Sequence, residues 1–264
     1  MMKLPYFHVD AFTDKAFSGN QAAVIPLENW LDDAILQSIA AENNFAETAF
    51  IIADKSGEAD FELRWFTPTD EVRMCGHATL ASGHVVLSQD DSMDIVTFRT
   101  RKVGILAVER TENGYELTLP AVITSPVERP DIAAAIGGNP LEIWGNENDY
   151  FILHYNDADE ILALAPDFKT LATLGKDIFI CTARGKDTDI ISRVFVPGAG
   201  IDEDPVTGSA HATLAPFWAK ILGKNQFTAY QASKRGGHIG CTLENDRVIL
   251  MGNCVNVVEG VFTL

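Results

Sequence analysis

The feature that most limits what this chain can become is a pentapeptide that occurs twice. His77-Ala78-Thr79-Leu80-Ala81 returns as His211-Ala212-Thr213-Leu214-Ala215, 134 residues later. Upstream of each copy stands a second match, Arg64-Trp65-Phe66-Thr67-Pro68 and Arg193-Val194-Phe195-Val196-Pro197, 129 residues apart and in the same order. An Arg-x-Phe-x-Pro strand end, a loop and a helix opening on the pentapeptide therefore read as one unit used twice, the second time with a loop five residues longer. A chain of 264 residues has room for two domains of ordinary size. The expected division is an N-terminal copy over 1–124 and a C-terminal copy over 125–264, meeting at Ser125-Pro126-Val127-Glu128-Arg129-Pro130, with the last strand able to pair back onto the first domain.

The element pattern supports the duplication. Ile35, Leu36 and Ile39 mark one face of a short helix from Asp32 to Glu42, and its counterpart runs from Pro166 to Leu174. Apolar, β-branched or aromatic stretches predict strands at Glu47 to Ala53, Phe61 to Phe66, Ile178 to Ala183 and Ile190 to Val196. Asn113-Gly114 predicts a two-residue hairpin, and Gly236-Gly237 and Asn245-Asp246 punctuate the second half similarly. The helices from His77 to Leu87 and from Ser209 to Leu222 carry few charges, which suits burial inside a curved sheet. Strands outnumber helices without regular alternation, so the expected class is α+β: two similar domains, each a mostly antiparallel or mixed sheet wrapped around a central helix.

Composition removes several functions. Twenty Lys and Arg against 37 Asp and Glu leave a formal charge of −17, which repels phosphate backbones and anionic lipid, so no nucleic-acid or membrane partner is expected. No apolar run approaches a bilayer's thickness, and the first residues lack the layout of a secretory signal, so the expected location is cytoplasmic. Cys75, Cys181, Cys241 and Cys254 are scattered, with no zinc-finger spacing and no His-Glu-x-x-His pattern; no metal is expected. Glycine-rich dinucleotide and Walker loops are missing too, so no cofactor is expected.

What chemistry remains is concentrated at the helix starts. Cys75-Gly76-His77 and Thr207-Gly208-Ser209 each place unpaired backbone N–H groups and a positive dipole end beside a glycine. If the halves face each other about a pseudo-twofold axis, both ends serve one carboxylate-binding cleft; plain helix capping is the competing explanation. His77 and His211 hold equivalent places in the repeat, and the expectation is one functional and one structural histidine. Cys75, at a helix N-terminus, is a candidate thiolate base, although the second half has no matching thiol. Glu47 heads the apolar strand Ala46-Glu47-Thr48-Ala49-Phe50-Ile51-Ile52, where burial would tune it for proton transfer; an exposed strand-end carboxylate is the alternative. Asp202, Glu203 and Asp204 form an acidic run that either hugs the second helix start or is simply solvated.

Glu71 to Ala81, the Arg-Trp-Phe-Thr-Pro segment, Asp204-Pro205-Val206-Thr207-Gly208-Ser209-Ala210, Phe7-His8-Val9-Asp10-Ala11-Phe12 and Gly19-Asn20 together resemble the phenazine-biosynthesis PhzF family across the whole chain. The resemblance implies the diaminopimelate-epimerase fold and a cofactor-free, commonly homodimeric isomerase. Such an enzyme shifts a proton within a small cyclic amino acid, trans-2,3-dihydro-3-hydroxyanthranilate in the phenazine pathway. It places the general base on Glu47, the substrate-binding histidine on His77, the aspartate on Asp204 and the serine on Ser209, with Gly76 and Gly208 supplying backbone donors. Ala46 departs from the serine common before the base, which touches substrate choice more than fold. Two other activities stay open: a Cys75-dependent amino-acid epimerase, and a non-catalytic protein binding small carboxylates.

Overall fold

A computed structural model describes residues 1–147 and 149–264, and its chain contacts divide into two compact units. The first comprises Met1–Leu119 together with Met251–Leu264, and the second Pro120–Leu250. The division falls five residues before the sequence-derived boundary, and the C-terminal strand belongs to the first unit. The architecture is α+β, with many strands and few helices.

The first unit runs β1 (Lys3–Ala11), β2 (Asn20–Pro26), α1 (Asp33–Asn43), β3 (Glu47–Ala53), β4 (Phe61–Phe66), β5 (Glu71–Val72), α2 (Gly76–Gln89), β6 (Ile95–Thr100), β7 (Ile105–Thr111) and β8 (Gly114–Pro120). The second holds β9 (Ser125–Pro126), α3 (Pro130–Ile136), β10 (Glu142–Gly145), β11 (Tyr150–His154), α4 (Ala158–Ala163), α5 (Phe168–Ala172), β12 (Ile178–Arg184), β13 (Ile190–Val196), β14 (Ile201–Asp204), α6 (Gly208–Leu222), β15 (Gln226–Gln231), β16 (Gly237–Glu244) and β17 (Arg247–Gly252). The chain then returns to the first unit as β18 (Cys254–Thr263), antiparallel to β1 from Lys3 opposite Thr263 to Ala11 opposite Cys254.

Helix α2 is the axis of the first unit, in contact with β1, β2, β3, β6, β7 and β18. Gly76 to Gly83 are all buried, so no polar face is available and the hydroxyls must find partners on the helix itself. They do: Thr79 donates to the Cys75 carbonyl at 2.5 Å and Ser82 to the Ala78 carbonyl at 2.7 Å. Outside this sheet α1 packs Leu36 and Ile39 onto Phe50 and Phe66, whose rings meet edge to face at 5.6 Å. Buried Arg64 of β4 closes that side, forking onto Glu71 of β5 through two bonds of 2.8 Å and reaching Asp33 at 2.9 Å.

In the second unit α6 is buried from Ala210 to Ala219 and packs against β11 and β16. Its opposite core layer joins Ile132, Tyr155, Ile161, Leu171, Phe179 and Phe195. Arg193 of β13 forks onto Glu203 of β14 at 2.8 and 3.0 Å, the contact that Arg64 makes with Glu71. The strand order also corresponds: β4 pairs antiparallel with β5 and parallel with β6, as β13 does with β14 and β15.

Two sequence-derived expectations shift. The helices begin at Gly76 and Gly208, 132 residues apart, whereas the pentapeptide copies lie 134 apart. By helix position Ser209 corresponds to His77, and His211 to Thr79. The hydrogen bonds agree, because His211 Nδ1 donates to the Thr207 carbonyl at 2.8 Å just as Thr79 does to that of Cys75. The hairpin between β7 and β8 pairs Thr111 with Gly114, so its two central residues are Glu112 and Asn113, one earlier than expected.

Candidate active site

Three chain segments meet at the start of α2. Cys75 caps the helix in an extended conformation, which leaves the Gly76 and His77 backbone at the first turn. Strand β3 begins beside it with Glu47, in parallel register with Ala22 of β2. Strand β2 begins with Asn20, delivered by Gly19 in the left-handed region (φ 67°), where a Cβ would stand 2.2 Å from the Ala11 carbonyl oxygen. Only glycine lets the chain turn back so closely on β1.

His77 is the hub of this meeting. Its Nε2 lies 3.2 Å from Glu47 Oε2, and its Nδ1 lies 3.1 Å from the Asn20 side-chain amide and 3.5 Å from Cys75 Sγ. The imidazole is 5% exposed and the Glu47 side chain 17%, so the carboxylate is the member of the pair that solvent or a ligand reaches. Burial pushes His77 down to about 4, a hydrogen bond to the Gln21 backbone offsetting part of this, and the ring is neutral at pH 7. Nε2 approaches Glu47 without hydrogen-bond alignment and has no hydrogen-bond partner among the described residues.

Asp10, buried at the end of β1, accepts the Phe17 N–H at 2.8 Å and thereby ties down the loop that leads to Asn20. His8 stacks on Phe45 with centroids 4.4 Å apart and meets the Gln21 amide at 3.2 Å.

At the start of α6, Thr207 is the cap, Gly208 the first helical residue, and Asp204 ends β14. The Thr207 hydroxyl donates to Asp204 Oδ2 at 2.5 Å. Fully buried Gln231 of β15 supports the turn, its Oε1 accepting the Thr207 N–H at 2.8 Å and its Nε2 donating to the Asp204 carbonyl at 2.7 Å. Ser209 shares a hydrogen bond with the hydroxyl of Tyr150, whose burial pushes the phenol up. His211 is fully buried, spends Nδ1 on the Thr207 carbonyl and Nε2 on the Ser192 hydroxyl at 3.4 Å, and is likewise held near 4 by burial. It has no nitrogen left for a ligand.

The structure thus groups Glu47, Gly76 and His77 in one unit and Asp204, Gly208 and Ser209 in the other. Sequence reasoning did not assign Asn20, Gln231 or Tyr150 to these groups. Gly19-Asn20 carried a signal as a turn glycine beside a short amide; Gln231 and Tyr150 carried none.

An α+β fold with helices buried in curved sheets and a carboxylate–imidazole pair at a helix start defines a protein of epimerase-like architecture. A hydroxyproline epimerase from Agrobacterium vitis shares that fold at TM-score 0.62 and 10% identity, covering 98% of this chain and 92% of that one. The chain belongs to the phenazine biosynthesis-like family (PhzC-PhzF), which matches residues 9–260, and it is an isomerase. It is 42% identical over 265 residues to a Pseudomonas aeruginosa protein named as an uncharacterized isomerase, each chain covered in full. It is also similar to the crystal structure of a PhzF-family phenazine biosynthesis protein from Enterococcus faecalis, with TM-score 0.93, 38% identity and both chains covered completely.

Proposed function

We propose that the protein is a cofactor-independent isomerase that shifts a proton within a small cyclic amino-acid-like carboxylate of the trans-2,3-dihydro-3-hydroxyanthranilate type. Glu47 takes a proton from one carbon, exchanges it with solvent through its partly exposed carboxyl, and delivers a proton at another, acting as base and then as acid. The observation that carries this reading is the 3.2 Å approach of Glu47 to the neutral His77 ring. A partly exposed carboxylate paired with a neutral ring is placed to accept a proton from carbon, and a neutral imidazole is able to donate a hydrogen bond to charge that develops on the substrate.

The remaining roles follow the chemistry of each group. In the first unit the backbone N–H groups at Gly76 and His77, and in the second the Gly208 N–H and the Ser209 hydroxyl, each offer the anion-holding end that a helix start provides. Asp204, fixed through Thr207, accepts from the substrate's amino or hydroxyl group. The reading includes two related domains descended from one repeat, a homodimeric assembly and a cytoplasmic location, each supported by the sequence and the family resemblance.

A cysteine-dependent epimerase is the second reading, favoured by the 3.5 Å contact of Cys75 Sγ with His77. Against it, the cap of α6 is Thr207, which has no thiol to act as the opposed base. Turnover of the ring substrate in deuterated water tests the first reading. It requires solvent deuterium in the product and a folded but inactive Glu47→Gln variant; activity retained in that variant removes it.

A further inference from the structure

His77 is neutral, so one ring nitrogen carries a proton and the other accepts, and the groups around the ring decide which. Nδ1 faces donors. The Asn20 side-chain amide donates to it through Nδ2 at 3.1 Å, and the Cys75 thiol stands 3.5 Å away. Asn20 opens β2 opposite Ala11 and is fully buried, which holds the amide in place. A proton on Nδ1 would meet the amide N–H head-on and strand two buried donors. The proton therefore sits on Nε2, 3.2 Å from Glu47 Oε2 but out of line for a hydrogen bond to it. That buried N–H has no hydrogen-bond partner among the described residues, and a ligand seated beside Glu47 would supply the missing acceptor. His211 has the opposite arrangement. Its Nδ1 lies 2.8 Å from the Thr207 carbonyl, which only accepts, so Nδ1 carries the proton and Nε2 takes the Ser192 hydroxyl at 3.4 Å. The two copies of the pentapeptide thus hold their histidines as opposite tautomers, one N–H spent on the backbone and the other kept in reserve.

We propose that Asn20 is a positioning residue of the isomerase: by donating to Nδ1, with the Cys75 thiol as a second donor, it fixes His77 as the Nε2–H tautomer and keeps that N–H for a substrate oxygen beside the carbon that Glu47 deprotonates. That oxygen gains negative charge as the proton leaves, so the substrate belongs to the carbon acids whose reacting C–H is conjugated with a carbonyl or carboxylate. An inverted ring would turn a lone pair on the same oxygen and repel it. The tautomer follows from the contacts alone; its bearing on turnover rests on the function proposed above.

The test is ¹⁵N NMR of the full-length, histidine-labelled protein without substrate, the ring signals being assigned by their loss in His77→Gln and His211→Gln. His77 should show a protonated Nε2 and an unprotonated Nδ1, and His211 the reverse. Asn20→Asp offers Nδ1 an acceptor of the same shape and should exchange the two His77 signals at about pH 9, where a histidine paired with a carboxylate has lost its second proton. Asn20→Ala should leave a mixture of tautomers. At the same pH, kcat for the ring substrate should fall about 10²-fold in Asn20→Asp, the scale of a lost oxyanion donor, and by less in Asn20→Ala, while KM changes by less than about threefold. A proton on Nδ1 of wild-type His77 overturns the proposal and needs no variant to fold. A tautomer that Asn20→Asp leaves unchanged removes Asn20 as its cause, and an inverted tautomer with undiminished kcat removes its bearing on turnover. The ring signals are read without substrate, so a wild type that fails to turn over the ring substrate counts against the isomerase reading alone.

Discussion

Gln231 Oε1 accepts the Thr207 backbone N–H at 2.8 Å, so the start of α6 is held by a buried side chain 24 residues further along the chain. The same amide holds the Asp204 carbonyl at 2.7 Å. Gln231→Leu strands both backbone groups, each at about 1–3 kcal/mol. The expected outcome is an unfolding free energy, from urea titration, lowered by at least about 2 kcal/mol and a KM that rises more than kcat falls, because the turn at Asp204 and Thr207 loosens while Glu47 is untouched. Equal stability and kinetics in the variant would contradict this support.

Arg64 is the corresponding clamp on the first unit's outer layer, buried between Glu71, Asp33 and the rings of Trp30 and Phe66 at 5.1 and 4.9 Å. Arg64→Leu should cost roughly 3 kcal/mol, since it strips half-buried Glu71 and exposed Asp33 of their shared guanidinium and leaves Glu71 only the exposed Arg101 at 3.3 Å. The hydrogen bonds from Arg64 lower the Glu71 pKa first, with the guanidinium charge adding to them. A carboxyl lowered in the folded state contributes stability that is fully present above its unfolded pKa and is lost as pH falls through the folded value. The variant should therefore lose part of the acid sensitivity seen below pH 4.5 in denaturant melts at stepped pH.

Both buried histidines add a second pH dependence, above that range. Their folded pKa values of about 4 lie below the ordinary 6.5, so between these values the unfolded chain binds more protons than the folded one. Stability accordingly rises with pH from about 4 to 6.5 and levels off above, with a slope of about 1.4 kcal/mol per pH unit for each histidine. His211→Gln should remove one histidine's share of that slope without touching Glu47. An unchanged slope would mean that His211 charges in the fold.

How much of this was legible depended on the range of the interaction. Helix α2 and strand β3 were readable because His77 to Leu87 lacks Lys, Arg, Asp and Glu and Ala49 to Ala53 is continuously apolar, local patterns that burial demands. The Asn20–His77 contact spans 57 residues and leaves no periodic trace. Gly114 read as a turn residue, yet its φ of 122° and the absence of a Cβ serve a close approach to Gly252 and Asn253, where a side chain would stand 2.8 Å from the Gly252 carbonyl oxygen. The pentapeptide aligned His77 with His211, but the helix starts align His77 with Ser209, because a two-residue offset hides in the loop before α6.

Cys75→Ser separates the two catalytic readings. Proton transfer through Glu47 requires measurable turnover of the ring substrate in this variant, with solvent deuterium still entering the product. Loss of all turnover in a folded Cys75→Ser protein would favour the thiol-dependent epimerase instead.

The central claim is that Glu47 carries the proton. Wild-type protein and Glu47→Gln, matched for folding by circular dichroism, are incubated with trans-2,3-dihydro-3-hydroxyanthranilate in deuterated water and the product is read by mass spectrometry. The account predicts deuterium at the protonated carbon with the wild type and a rate at least about 10²-fold lower in the variant. Wild-type turnover without deuterium, or full activity in Glu47→Gln, would contradict it.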